Sequence, residues 1–149
     1  MPMVILSTRN RQSVRISAFV YPLGLWVVMA VVAVINGIFR ELVLIPRIGE
    51  YPGHVLSTAI LILAILTLSV LYFSRSTADY TRAELLLVGI VWVALTVGFE
   101  FLVGYAEGIP VSETIAQYDV LAGQVWIFVP LTLLVAPSLV YTYVGTQRS

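Results

Sequence analysis

Ionisable side chains lie inside two of the most apolar stretches of this chain, INGIFREL and LTVGFEF. Asn36 and Arg40 are spaced i, i+4 in the first stretch, Glu41 follows directly, and Glu100 is the carboxylate of the second. An unpaired carboxylate in hydrocarbon costs at least ~2.5–3.5 kcal/mol, so we expect Glu100 to be protonated or to meet a cation. Arg40 is the nearest cation at matching depth, followed by His54, and the sequence therefore predicts an Arg40–Glu100 ion pair.

Other polar side chains are expected at the same end of the predicted helices, three or four residues apart where they share one helix face. The predicted pocket residues are Asn36, Arg40, Glu41, His54, Thr58, Thr96, Glu100, Asp119 and Trp126. Such a cluster can bind a ligand or handle protons, with His54 as a proton carrier near neutral pH. It equally fits a structural lock that fixes the register of the helices.

The residue inventory excludes several chemistries. The chain has no cysteine, which excludes disulfides, zinc–thiolate sites and iron–sulfur ligation, and its single histidine cannot form a bis-histidine haem or dinuclear metal site. The formal net charge is +0, so the chain lacks the excess of basic residues that is typical of nucleic-acid-binding proteins. No nucleophile, general base and orienting residue occur in the sequence at a spacing that is typical of a catalytic site. We therefore assign no catalytic residue, no metal site, no cofactor and no nucleic-acid partner.

The elements that position these residues are transmembrane helices. Of the 149 residues, 60% are hydrophobic and only 11% are charged, whereas soluble domains have about 25% charged residues. A helix needs about 20 apolar residues to cross a bilayer. Four segments meet this length, at about 17–39, 54–73, 84–104 and 122–143. The sequence predicts one all-α domain, a four-helix bundle in the lipid bilayer of a prokaryotic cell membrane.

The arginines predict the orientation of this bundle. The predicted inner side holds Arg9, Arg11, Arg15, Arg75, Arg82 and Arg148, and the predicted outer side holds Arg40 and Arg47. Cytoplasmic loops carry the excess of basic residues, so both termini are expected in the cytoplasm and the polar cluster near the outer leaflet.

Local motifs account for some of the remaining charges. Thr81 and Glu84 have the spacing of a capping box at the start of the third span, and we interpret Glu84 as a cap only. A short surface helix is expected between the third and fourth spans, with Ser112 as its N-cap. Asp119 is expected to cap the helix of the fourth span, and two prolines within that span predict a kink.

Five segments together resemble a family of small four-helix membrane proteins of bacteria and archaea. They are INGIFRELVLIPRIGE, HVLST, STADYTRAELLLVGIVW, LTVGFEF and YDVLAGQVW. The resemblance covers nearly the whole chain after Ser17, and N-G-x-x-R-E and F-E-F are its most specific elements. It implies the four-helix architecture and brings no named activity with it.

Three classes of function remain open. The sequence favours an outward-facing polar pocket that binds or transports a small anion or a proton-coupled solute. Four helices enclose little space, so a transporter is expected to form a homo-oligomer. The second class is a structural or accessory subunit of a larger membrane complex. The third is a lipid-modifying enzyme of the outer leaflet, with Arg40 on a lipid phosphate or carboxylate and Glu100 or His54 as general base.

Overall fold

The computed structural model describes residues 14–149, and the elements in that range are helical. In chain order they are α1 (Ser17–Phe39), a π-helical turn (Arg40–Leu44), α2 (Ile45–Ile48), α3 (Glu50–Arg75), α4 (Arg82–Ala106), α5 (Val111–Ala116), a 3-10 turn (Val120–Ala122) and α6 (Phe128–Arg148). Four helical stretches are long and apolar enough to cross a membrane: α1 with its continuation to Ile48, α3, α4 and α6. The predicted all-α chain with four such helices is confirmed. The predictions on Arg9 and Arg11 lie outside the described residues.

Two tryptophans set the register between α1 and α4. The Trp26 indole donates to Thr96 Oγ1 at 2.9 Å, and the Trp92 indole donates to the Pro22 carbonyl oxygen at 2.9 Å. Both bonds join residues 70 positions apart, so the two helices run parallel. Trp92 also belongs to the main apolar core of the bundle. That core contains Met29, Leu61, Ile65, Val88, Trp92, Val129 and Leu133.

Small residues allow α6 to approach its neighbours closely. A Cβ added at Gly89 of α4 would lie 3.0 Å from the Leu134 carbonyl carbon of α6 and closer still to the carbonyl oxygen. Ser69 of α3 and Ala136 of α6 are fully buried. Membrane helices lack a hydrophobic driving force against each other and associate through such close packing.

The fourth long helix begins later than the predicted residue 122, at Phe128. The Asp119 carboxylate accepts hydrogen bonds from the Leu121 and Ala122 amides, which closes the 3-10 turn. Gly123 then adopts a φ of 82°, a left-handed conformation that interrupts any helix. Asp119 therefore caps the 3-10 turn, and the prediction that it caps the fourth span is wrong.

Two further local predictions need correction or refinement. The short surface helix is present as α5, but Pro110 occupies its N-cap position and no side chain caps it, so the assignment to Ser112 is wrong. Pro137 lies inside α6 and is fully buried. A proline removes one backbone donor from the helix, and burial within the protein is where a membrane helix tolerates that loss.

Glu84 is more than a cap. The capping box is present, with Thr81 Oγ1 accepting from the Glu84 amide at 3.2 Å and Glu84 Oε2 accepting from the Thr81 amide at 3.0 Å. The Glu84 side chain is also fully buried and binds the Arg15 guanidinium through Nε at 2.9 Å and through a terminal nitrogen at 3.0 Å. The interpretation of Glu84 as a cap only is wrong, because Arg15 joins the segment before α1 to the start of α4.

The two ends of the bundle are named here the Arg40 end and the Glu84 end. The predicted orientation places the Glu84 end in the cytoplasm, and single cysteines can test it because the chain has none of its own. Thr77 and Ser112 are exposed at the Glu84 end and the Arg40 end, respectively. In intact cells, Ser112→Cys should react with a membrane-impermeant maleimide and Thr77→Cys should not. Labelling of Thr77→Cys alone would invert the orientation.

Candidate binding cavities

The NGIFREL segment runs from the last turns of α1 into the π-helical turn, which begins at Arg40. Single π-helical turns occur frequently at functional sites. The Arg40 guanidinium contacts the Glu41 carboxylate at 3.0–3.1 Å and lies 3.5 Å from His54 Nδ1. Arg40 is thus paired with its sequence neighbour and close to the histidine of α3.

The predicted Arg40–Glu100 ion pair is wrong. The parallel register of α1 and α4 places Glu100 at the level of Ala30, ten residues before Arg40, which is about 15 Å along a helix. Glu100 Oε2 instead accepts a hydrogen bond from the Tyr118 hydroxyl. Tyr118 lies in the connection after α5. The pKa of its hydroxyl is raised above the ordinary value, mainly because the group is partly buried and secondly because it is hydrogen-bonded to Glu100.

Asn36 and Thr58 belong to helix interfaces. The Asn36 amide nitrogen donates to the Ser57 carbonyl oxygen at 3.1 Å and to Ser57 Oγ at 2.9 Å, so it joins α1 to α3. Thr58 is buried in α3, 3% exposed. Neither residue lines the two cavities at this end, and Asp119 does not line them either.

The first cavity, which we name the vestibule, has a volume of about 570 Å³. It lies between the turn after α1, the start of α3, and α5. Its charged and titratable lining residues are Arg40, Glu41, Glu50, His54 and Glu113, and Tyr51, Gln117 and Gln124 complete its polar surface. Three carboxylates therefore face one guanidinium across this space.

The second cavity, which we name the chamber, lies deeper between the long helices and has a volume of about 280 Å³. Its walls are mainly apolar. Three aromatic side chains line it, Trp26, Phe99 and Trp126, together with the carboxylate of Glu100 and, at an exposed position, that of Glu107. Arg40 and Gln117 line both cavities, so the chamber adjoins the vestibule.

Several buried polar atoms around these cavities have no hydrogen-bond partner among residues 14–149. They include Glu100 Oε1, Trp126 Nε1 and His54 Nε2. The His54 and Trp126 rings are neighbours, with centroids 6.5 Å apart. Because buried polar groups are nearly always hydrogen-bonded, these atoms are candidates for contacts with a bound molecule.

Six of the nine predicted pocket residues line the two cavities. Arg40, Glu41 and His54 line the vestibule, and Thr96, Glu100 and Trp126 line the chamber with Arg40. Sequence reasoning missed Glu50, Glu113 and Tyr118. Glu113 lies in the first turn of α5, where a carboxylate is common, and nothing in the local sequence indicates that Tyr118 reaches back to α4.

No family model, curated protein or solved structure matches this chain. Within residues 14–149, no three His, Cys, Asp or Glu side chains are grouped as ligands of a metal ion would be. The function must therefore be argued from the vestibule and the chamber.

Proposed function

We propose that this chain is an integral membrane protein whose vestibule faces outward and binds a cationic solute, for transport or sensing. The observation that carries the proposal is the acidic lining: Glu41, Glu50 and Glu113 share the vestibule with Arg40. The Arg40 charge is already engaged by Glu41. Glu50 and Glu113 form no ion pair with any residue in the range 14–149.

The sign of the ligand charge differs from the one that the sequence favours. The sequence favours a pocket in which Arg40, His54 and Glu100 bind an anion or move protons. The vestibule brings Arg40 and His54 together with three carboxylates, which outnumber the one arginine among the described lining residues, and a cleft with an excess of one sign of charge concentrates ions of the opposite sign. A cation is the ligand that this balance supports.

A structural role remains the second candidate, because two contacts at the Arg40 end connect elements without a ligand. Asn36 joins α1 to α3 through Ser57, and Tyr118 joins the connection after α5 to Glu100. An accessory subunit would need these contacts and no bound ion. It predicts that the vestibule shows no saturable cation binding, whether its carboxylates are present or neutralised.

The test is a titration of the purified protein with tetramethylammonium, followed by the fluorescence of Trp126 and the other tryptophans. We expect a saturable change with tetramethylammonium and none with inorganic phosphate. The double variant Glu50→Gln/Glu113→Gln should weaken binding roughly threefold to tenfold, as expected for two partly exposed charge interactions. Asp79→Asn removes the same charge at the Glu84 end and should leave the affinity unchanged. Preferential binding of phosphate, or no effect of the double variant, would contradict the proposal.

A further inference from the structure

We infer that the chamber binds the apolar part of a lipophilic organic cation, whose charge lies against Glu100. The inference rests on the proposed function, since it names the class of cation. It adds a second binding site, deeper than the vestibule and different in chemistry. Three observations support it: the carboxylate, the aromatic walls and the position of the chamber in the bundle.

The first observation is an incompletely paired carboxylate in apolar surroundings. Glu100 lines the chamber, where only Oε2 has a partner, the Tyr118 hydroxyl. Oε1 is buried and accepts no hydrogen bond from the described residues, and the Trp126 indole, whose Nε1 also lacks a partner, lies beside this carboxylate. A carboxylate in such surroundings is favoured when a cation lies beside it. Among residues 14–149, Arg40 is the only arginine that lines the chamber, and it is bound to Glu41 at the vestibule side.

The second observation is the set of aromatic walls. Trp26, Phe99 and Trp126 line the same space of about 280 Å³ as Glu100. Aromatic faces attract organic cations through the ring quadrupole, most strongly where water is excluded, and quaternary ammonium ligands are recognised in this way. A carboxylate with aromatic walls fits a quaternary ammonium ion that carries an apolar substituent better than it fits a metal ion or a small anion.

The third observation is the position of the chamber. Among its lining residues, Val34 of α1 is 47% exposed and Phe99 of α4 is 37% exposed, on helices apolar enough to cross a membrane. The chamber is thus bounded by side chains on the surface that would face lipid. An ion with an apolar substituent partitions toward such a surface, whereas a fully hydrated small cation stays in the vestibule.

The experiment compares three probes on the purified protein: tetramethylammonium, benzyltrimethylammonium and the uncharged neopentylbenzene. Benzyltrimethylammonium adds a phenyl group to the first probe, and neopentylbenzene replaces its nitrogen by carbon. We expect benzyltrimethylammonium to bind about tenfold or more tightly than tetramethylammonium, the difference expected from burying a desolvated aromatic–cation contact. Neopentylbenzene should not displace it. Displacement by neopentylbenzene at similar concentration would overturn the role of charge and with it the inference.

Two variants locate the site. Glu100→Gln should lower the affinity for benzyltrimethylammonium about tenfold, because the coulombic attraction between the ammonium ion and the carboxylate is lost, and it should leave the affinity for tetramethylammonium in the vestibule unchanged. Gly37→Leu should act in the same direction by filling the chamber, because Gly37 lines it and an added Cβ meets no atom within 4 Å. Gly98→Leu is the matched control, since Gly98 has the same free space but does not line the chamber.

The outcomes separate the two proposals. Equal affinity for both ammonium ions, with no effect of Gly37→Leu, would overturn the chamber site and leave the vestibule proposal standing. Failure of both ions to bind would overturn both. If Glu100→Gln does not accumulate, the comparison of Gly37→Leu with Gly98→Leu decides the question alone.

Discussion

Gly89→Ala is expected to destabilise the bundle by about 1–3 kcal/mol, the usual cost of overpacking a close contact. The added methyl group would lie 3.0 Å from the Leu134 carbonyl carbon and nearer to its oxygen, both of them backbone atoms that cannot rotate away. Helices α4 and α6 would have to move apart at this point. Thermal unfolding in detergent measures the loss.

Gly98→Ala provides the matched control in the same helix, since a Cβ at Gly98 meets no atom within 4 Å. It should be neutral or stabilising by about 0.4–1 kcal/mol, because alanine restricts the unfolded chain. Equal stability of the two variants would show that α4 and α6 do not approach each other this closely.

Glu84→Gln should destabilise the protein by about 1–3 kcal/mol, the range for leaving a buried polar group unsatisfied. The carboxylate accepts from the Arg15 side chain, the Arg15 amide and the Thr81 amide, and the side chain is fully buried. A carboxamide would place an N–H group against one of these donors. The loss is measured by thermal unfolding, with Asp79→Asn, an exposed carboxylate in the same region, as control.

The double variant Arg15→Met/Glu84→Gln should recover part of this loss, because a paired charge is often no more stabilising than an apolar contact. Full stability of Glu84→Gln alone would return Glu84 to the role of a simple cap. Additive losses in the double variant would show that Arg15 and Glu84 are not coupled.

The four long helices could be predicted from the sequence because length and apolar composition determine which segments cross a bilayer. The separation of Arg40 from Glu100 could not. It depends on the register between α1 and α4, which Trp26, Thr96, Trp92 and Pro22 set through hydrogen bonds between residues 70 positions apart. The predicted depth of a residue, measured from the end of its span, does not determine which residue of the neighbouring helix lies beside it.

The candidate site could be predicted only in part, because the sequence shows which polar residues lie inside apolar spans but not which residues of the connections fold next to them. Polar residues inside apolar spans are conspicuous, and six of the nine predicted pocket residues line the cavities. Glu50 and Glu113 change the charge of the vestibule, yet each looks like an ordinary exposed residue of a connection in the sequence. Their proximity to Arg40 arises only from the fold, which places the start of α3 and α5 around one cavity.

The π-helical turn at Arg40–Leu44 has a consequence for how this chain tolerates changes in length. A π-helical turn accommodates one residue more than an α-helical turn does, and each residue turns a helix by about 100°. Removing one residue, for example the exposed Leu42, would let regular helix run through this segment. Because the wider turn already absorbs the extra residue, α1 would keep its phase relative to α3, and only the side chains within the turn, Arg40 included, would move. The same deletion in the regular part of α1 would turn every residue before it by about 100° and break its contacts with α3 and α4. The π-helical turn is therefore the place in this segment where a change of chain length disturbs the rest of the bundle least.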